Sequence, residues 1–131
     1  MNRYNTIIYV ITLTLIISCA GCFKNPSSEE SISLNKVEFD LAQLDVNGLR
    51  GPADGKVSVS YEFCIPDKEK CKSEVKRIDR SVEFMSGSRG RIGAKEDECL
   101  CVGTTGKDYR EVLSSLAELP YIERIIECHF E

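Results

Sequence analysis

The sequence predicts one small α+β domain, an antiparallel sheet carrying two helices. Three observations predict it. The chain of 131 residues is 42% hydrophobic and 29% charged, ordinary for one compact unit and too short for two. Residues 57–65 alternate apolar and polar with period two, as a half-buried strand does. Two later segments repeat their apolar residues at helical spacing.

The elements follow in chain order. Val37, Phe39 and Leu41 alternate with polar neighbours and suggest a first strand that adds to a sheet edge or pairs with the strand at Val57. Asn47-Gly48 and the run Gly51-Pro52-Ala53-Asp54-Gly55 are turn chemistry, residues that take positive φ or fix φ. The clearest strand puts Val57, Val59, Tyr61, Phe63 and Ile65 on one face, with Ser58, Ser60, Glu62 and Cys64 on the other. Pro66-Asp67 stops it and caps a helix from Lys68 to Asp79 that buries a thin stripe of Cys71, Val75 and Ile78. A short strand spans Val82 to Met85. The loop Ser86 to Gly93 and the acidic patch Glu96-Asp97-Glu98 lead into a strand from Cys99 to Gly103, whose cysteines face away from Leu100 and Val102. Asp108 and Glu111 form an acidic variant of the capping box ahead of Tyr109, Val112, Leu113 and Leu116, and Pro120 ends that helix. Tyr121 to Phe130 closes the chain as a strand with Ile122, Ile126, Cys128 and Phe130 on a common face.

From Val57 onward the order is β-α-β-β-α-β, that of the split βαβ, ferredoxin-like arrangement with an extra strand before it.

The amino terminus has the layout of a secretory signal peptide. Arg3 lies in a short polar stretch, Ile7 to Ile17 is an apolar run broken only by Thr12 and Thr14, and Ser18-Cys19-Ala20-Gly21-Cys22 follows. As a helix, the apolar run reaches about 16 Å, well short of a bilayer core of about 30 Å. Ala20-Gly21-Cys22 resembles the lipobox of bacterial lipoproteins, where a signal peptidase cuts before a cysteine that carries diacylglycerol. Cys22 is the expected acceptor and Cys19, preceded by Ile16-Ile17-Ser18, the alternative.

The resemblance implies a lipid anchor in the bacterial membrane, with the domain facing the periplasm or exterior. Phe23, standing where an Asp would retain a lipoprotein at the inner membrane, implies the outer membrane of a Gram-negative host. The expected organisation is a signal peptide at 1–21, a polar tether at 22–35 and a single domain at 36–131. Acidic residues outnumber basic ones 21 to 17, so nucleic acid is not an expected partner.

Seven cysteines stand out, and export would place them where disulfides form. Cys64, Cys71, Cys99 and Cys101 are the bridge candidates, with Cys64 to Cys71 or to Cys99 foremost, and Cys128 is expected as a small buried hydrophobe. A cysteine pair at the first strand-to-helix turn resembles heavy-metal-associated domains, but those use Cys-x-x-Cys, and six residues separate Cys64 from Cys71. Cys99-x-Cys101 is the alternative soft-metal pair, and thiol exchange by the same cysteines the alternative chemistry.

No cofactor and no catalytic constellation is expected. His129 has no nucleophile and orienting acid at a telling spacing, and it reads as an exposed, idle side chain. Arg89 and Arg91, on a glycine-rich loop, are the candidate contacts for an anionic ligand, because a guanidinium holds carboxylate or phosphate in a bidentate fork. The functional expectation is noncatalytic binding of an envelope protein or ligand through that loop and the free sheet face.

Overall fold

The computed structural model describes residues 34–129. Its centre is a four-stranded antiparallel sheet made by β3 (Ser60–Pro66), β4 (Glu83–Ser86), β5 (Glu98–Thr104) and β6 (Ile126–Glu127). Two helices complete the unit, α1 (Glu69–Ile78) after β3 and α2 (Tyr109–Glu118) after β5. A separate two-stranded ribbon joins β1 (Leu49–Arg50) to β2 (Val57–Ser58).

The spatial order β4-β5-β3-β6 makes the small α+β class definite. Each helix connects two strands with a third between them, so every neighbouring pair is antiparallel, as the split βαβ order requires.

Register assigns the two faces. Phe63 lies opposite Cys101, Ile65 opposite Cys99 and Phe84 opposite Cys101, so these side chains share the helix-covered face. There Tyr61, Phe63, Ile65, Cys99 and Cys101 join Val75 of α1 and Leu113 and Leu116 of α2 in the main core. Glu62 lies opposite Val102 and Cys64 opposite Leu100, which defines the second face. A smaller cluster of Ala94, Leu100 and Val102 closes it.

One buried polar network ties the main core to the sheet. The Tyr61 hydroxyl donates to Asp79, just past α1, and Asp79 also accepts from the Ser81 amide and hydroxyl at 2.8 and 2.7 Å. Burial, reinforced by Asp79, pushes the Tyr61 phenol far up, so it stays a donor. Gly103 leaves room for this pair: a Cβ there would lie 2.6 Å from the Tyr61 ring and 2.7 Å from Asp79 Oδ2.

Several expectations are corrected. The strand expected at Val37 is absent. Short 3₁₀ turns span Leu34–Lys36 and Leu41–Gln43, because the Asp40 carboxylate accepts from the Ala42 amide at 2.9 Å and turns the chain. Val37 keeps one parallel bridge to Ile125 on the outer edge of β6, and Phe39 stacks on Tyr61 at 6.5 Å. Leu34 and Asn35, assigned to the tether, lie in the first of these turns, and Leu34 packs against the main core. The segments expected as signal peptide and as the rest of the tether lie outside the described residues.

The long strand expected from Val57 breaks at Val59, where the chain changes partners. β2 pairs with β1, and Val59 donates instead to the Thr105 hydroxyl at 2.8 Å. Neither helix has the expected side-chain cap. Lys68 is the N-cap residue of α1 while Asp67 pairs with Lys72 at 2.6 Å, and Asp108 makes no capping bond to α2. The last strand is two residues long, with Ile122 and Ile125 in the main core and Cys128 half-buried on the opposite face; Phe130 lies outside the described residues.

Candidate functional site

The second sheet face, expected to be free, is covered. The connection between β4 and β5, residues 87–97, folds back over it and is held along its length. The Arg89 carbonyl accepts from the Gly93 and Ala94 amides at 3.0 and 2.7 Å, which closes the loop into a tight ring. Ala94 then seats on Leu100 and Val102, with Ile92 packed beside it. Gly90, at φ +57°, makes the close approach possible: a Cβ there would lie 2.8 Å from both Leu100 methyl carbons.

The fastening is a buried carboxylate. Glu62 is 2% exposed, and its Oε1 accepts from the Ile92 amide at 2.6 Å. A buried charge survives only with such a partner. From the far side, Arg124 Nη2 donates to the Ile92 carbonyl at 3.1 Å. The base of the loop is locked as Lys95 donates its amide to Glu98 Oε2 at 2.8 Å and Asp67 donates its own to the Asp97 carbonyl at 3.0 Å.

The two candidate arginines part company on this scaffold. Arg89 is exposed and lines a shallow recess with Gly87, Ala94, Lys95 and Glu96. Arg91 reaches the electrostatic neighbourhood of Cys128, whose thiol is pushed up by burial and then by the Glu62 carboxylate, and is eased down by Arg91. A second cavity of about 100 Å³ lies where the loop meets the end of β3, lined by Cys64, Ile92, Lys95, Glu98, Tyr121 and Arg124 among others. Its two cations face acidic neighbours, Lys95 with Glu98 at 3.9 Å and Arg124 with Glu38 at 3.6 Å.

The cysteines do not converge as expected. All five described cysteines are free thiols. Cys64 belongs to the second face, whereas Cys71, Cys99 and Cys101 pack against the helix-side core. Cys64 thus sits with the second-face cluster, and its foremost expected partners, Cys71 and Cys99, sit with the main core. Desolvation, then Glu98 and Glu62, pushes the Cys64 thiol up to about 11, and burial pushes the Cys101 thiol higher still. Thiolate is the form that attacks and that ligates metal, so these environments disfavour both. Cys99 and Cys101 spend their S–H groups on backbone carbonyls at 3.5 and 3.7 Å. Among the described residues, no group of three or more His, Cys, Asp or Glu side chains is placed to hold a metal ion.

His129, read as idle, stands 3.5 Å from Glu127, which also takes both arms of the Arg50 guanidinium. The Arg50 hydrogen bonds hold the Glu127 carboxyl below its usual range. This cluster fastens the β1–β2 ribbon to β6.

Glu62 is the site residue that sequence reasoning missed. It falls on the polar side of an alternating strand, where a solvent-facing residue is expected. The signal that could have found it is Ile92 and Ala94, apolar residues in a glycine-rich loop that need something to cover.

Comparison with known protein families, characterised proteins and solved structures finds no match to this chain. Among the described residues no helix is long and apolar enough to cross a membrane.

Proposed function

We propose that this chain is an exported bacterial lipoprotein, anchored through Cys22 with Cys19 as the alternative acceptor, whose domain is a noncatalytic binding module of the cell envelope. One observation carries the binding half of this reading. The 87–97 loop is fixed to the sheet by the buried Glu62 carboxylate and presents Arg89 and Lys95 outward around a recess. A loop held rigid from beneath has already lost the freedom it would otherwise lose on binding, which favours recognition. The ligand class that suits an Arg and a Lys is an anionic group on an envelope protein or small molecule. The anchor rests on the Ala20-Gly21-Cys22 motif behind the apolar run.

Intact mass of the protein from its native envelope tests the anchor. The expected product starts at Cys22 and carries diacylglycerol plus an amide-linked chain; an unmodified amino terminus rejects it. Arg89→Ala tests the loop. Arg89 is exposed, so the substitution should change stability by less than about 0.5 kcal/mol while weakening capture of envelope partners. Undiminished capture removes the loop from the reading.

A further inference from the structure

The charge of this chain is unevenly distributed. Residues 68–80 hold six basic side chains against three acidic ones, while the remainder holds eleven against eighteen. Folding sharpens the contrast. Asp79 is buried and occupied by Tyr61 and Ser81, and Glu74 accepts from the Tyr121 hydroxyl at 2.7 Å. Of the three acids Glu69 alone is exposed. Two of the cations are also occupied, Lys72 by Asp67 and Lys76 by the Arg80 and Val82 carbonyls. Lys68, Lys70, Arg77 and Arg80 are exposed and have no partner among the described residues. Lys70 and Arg77 flank Ser73 on the outward side of α1, opposite the buried Val75, with Glu69 drawn toward Lys72 at 3.7 Å, and Lys68 and Arg80 stand just beyond the two helix ends.

We propose that this outward face of α1 docks on the anionic phospholipid surface of the membrane that holds the anchor, an inference that rests on the lipoprotein reading. Charge complementarity selects the occupant, since Lys70 and Arg77 on the outward side of α1, with Lys68 and Arg80 just beyond its ends, gather four unpaired cations about one helix of a net acidic molecule. The chain's entry into the fold agrees. Leu34–Lys36 packs on α2, with Lys36 Nζ donating to the Leu119 carbonyl at 3.2 Å, and α2 packs on α1, so the anchor side and the basic strip belong to the same helical layer. Eleven residues separate Cys22 from Leu34, a reach of at most about 40 Å, which keeps the domain near the bilayer and lets that layer turn onto it. Each basic side chain near an anionic surface raises affinity about fivefold. A tethered domain is already concentrated there, so four such contacts suffice to orient it.

The test uses the full lipidated protein carrying Ser73→Trp, whose indole is the sole one because the chain has no tryptophan of its own. It is reconstituted in vesicles of phosphatidylcholine alone, or of two parts phosphatidylcholine to one part phosphatidylglycerol. Acrylamide quenching of the introduced indole should fall about twofold or more on the anionic vesicles. The difference should vanish in about 1 M salt, where the screening length is about 3 Å. Lys70→Glu with Arg77→Glu should abolish it too, with the thermal melt unchanged. Equal quenching on both vesicle types, or a difference that survives the charge reversal, overturns the docking face. Protein that fails to sediment with neutral vesicles marks instead the failure of the anchor, and the proposal falls with it.

Discussion

On the helix-covered face of the sheet, Tyr61, Phe63 and Ile65 interlock with Val75, Leu113 and Leu116, most of them fully buried, beneath two ten-residue helices. On the other face, Leu100 and Val102 lie under a loop without regular structure, which packs Ala94 and Ile92 on them and is fastened by Glu62, Arg124 and the bonds at its base. The first face is closed by area, the second by a few directed bonds around little apolar surface. A hydrophobic interface tolerates the loss of any single hydrogen bond, whereas a loop held by a few directed bonds around little apolar surface is more sensitive to each of them. The contrast separates the part of this domain that holds the fold from the part that displays side chains.

The largest expected effect tests that contrast directly. Phe63→Ala, emptying a fully buried site between the helices and the sheet, should cost about 3 to 5 kcal/mol of unfolding free energy, and Leu100→Ala on the loop face nearer about 2 kcal/mol. Urea titration measures both, and equal losses would mean that the loop face carries as much of the fold as the helix face. Next comes the fastening itself. Glu62→Leu should cost about 1.5 to 3 kcal/mol, since it removes a charged acceptor from the Ile92 amide. Hydrogen exchange should rise at residues 89–94 and stay slow in β3 and β5. Exchange that rises across the whole sheet would show that the loop is part of the cooperative core.

The smallest effect lies outside both faces. The Asp45 carboxyl is held down at about 2, first by the hydrogen bond from Lys56 and then by the Leu49 and Asn47 amides, which fastens the β1–β2 ribbon to the segment before it. A depressed carboxyl stabilises the ribbon fully above its unfolded value near 3.8 and loses that contribution as pH falls through about 2. An NMR titration should therefore show the Leu49 and Asn47 amides shifting below about pH 4 while the resonances of Phe63 and Leu113 stay in place. Simultaneous movement of all of them would tie the ribbon to the core.

What could be read from the sequence tracks how many residues share one repeating environment. The alternation through Tyr61, Phe63 and Ile65 and the spacing of Tyr109, Leu113 and Leu116 each repeat often enough to place β3 and α2 within a few residues. β1 and β6, at two residues each, are too short to carry a period, and their positions depend on partners distant in the chain. The same logic divides the candidate site. Arg89 and Arg91 are visible as residue types, but their separation depends on a loop fold set by Glu62, 30 residues from Ile92. The placement of the cysteines turns on parity: Cys64 and Cys99 lie near the same end of adjacent strands, yet register turns them to opposite sides.

The bridge between Val37 and Ile125 joins positions 88 residues apart, and Lys36 reaches Leu119 across 83. Contacts so distant in the chain are slow to form, because loop closure must precede any gain from them. The amino-terminal segment therefore has its docking place only once nearly all of the chain is present. A growing or emerging chain would carry Lys36 and Val37 without their partners until Leu119 and Ile125 arrive. The amino-terminal end, first to be made, would be last to be built in.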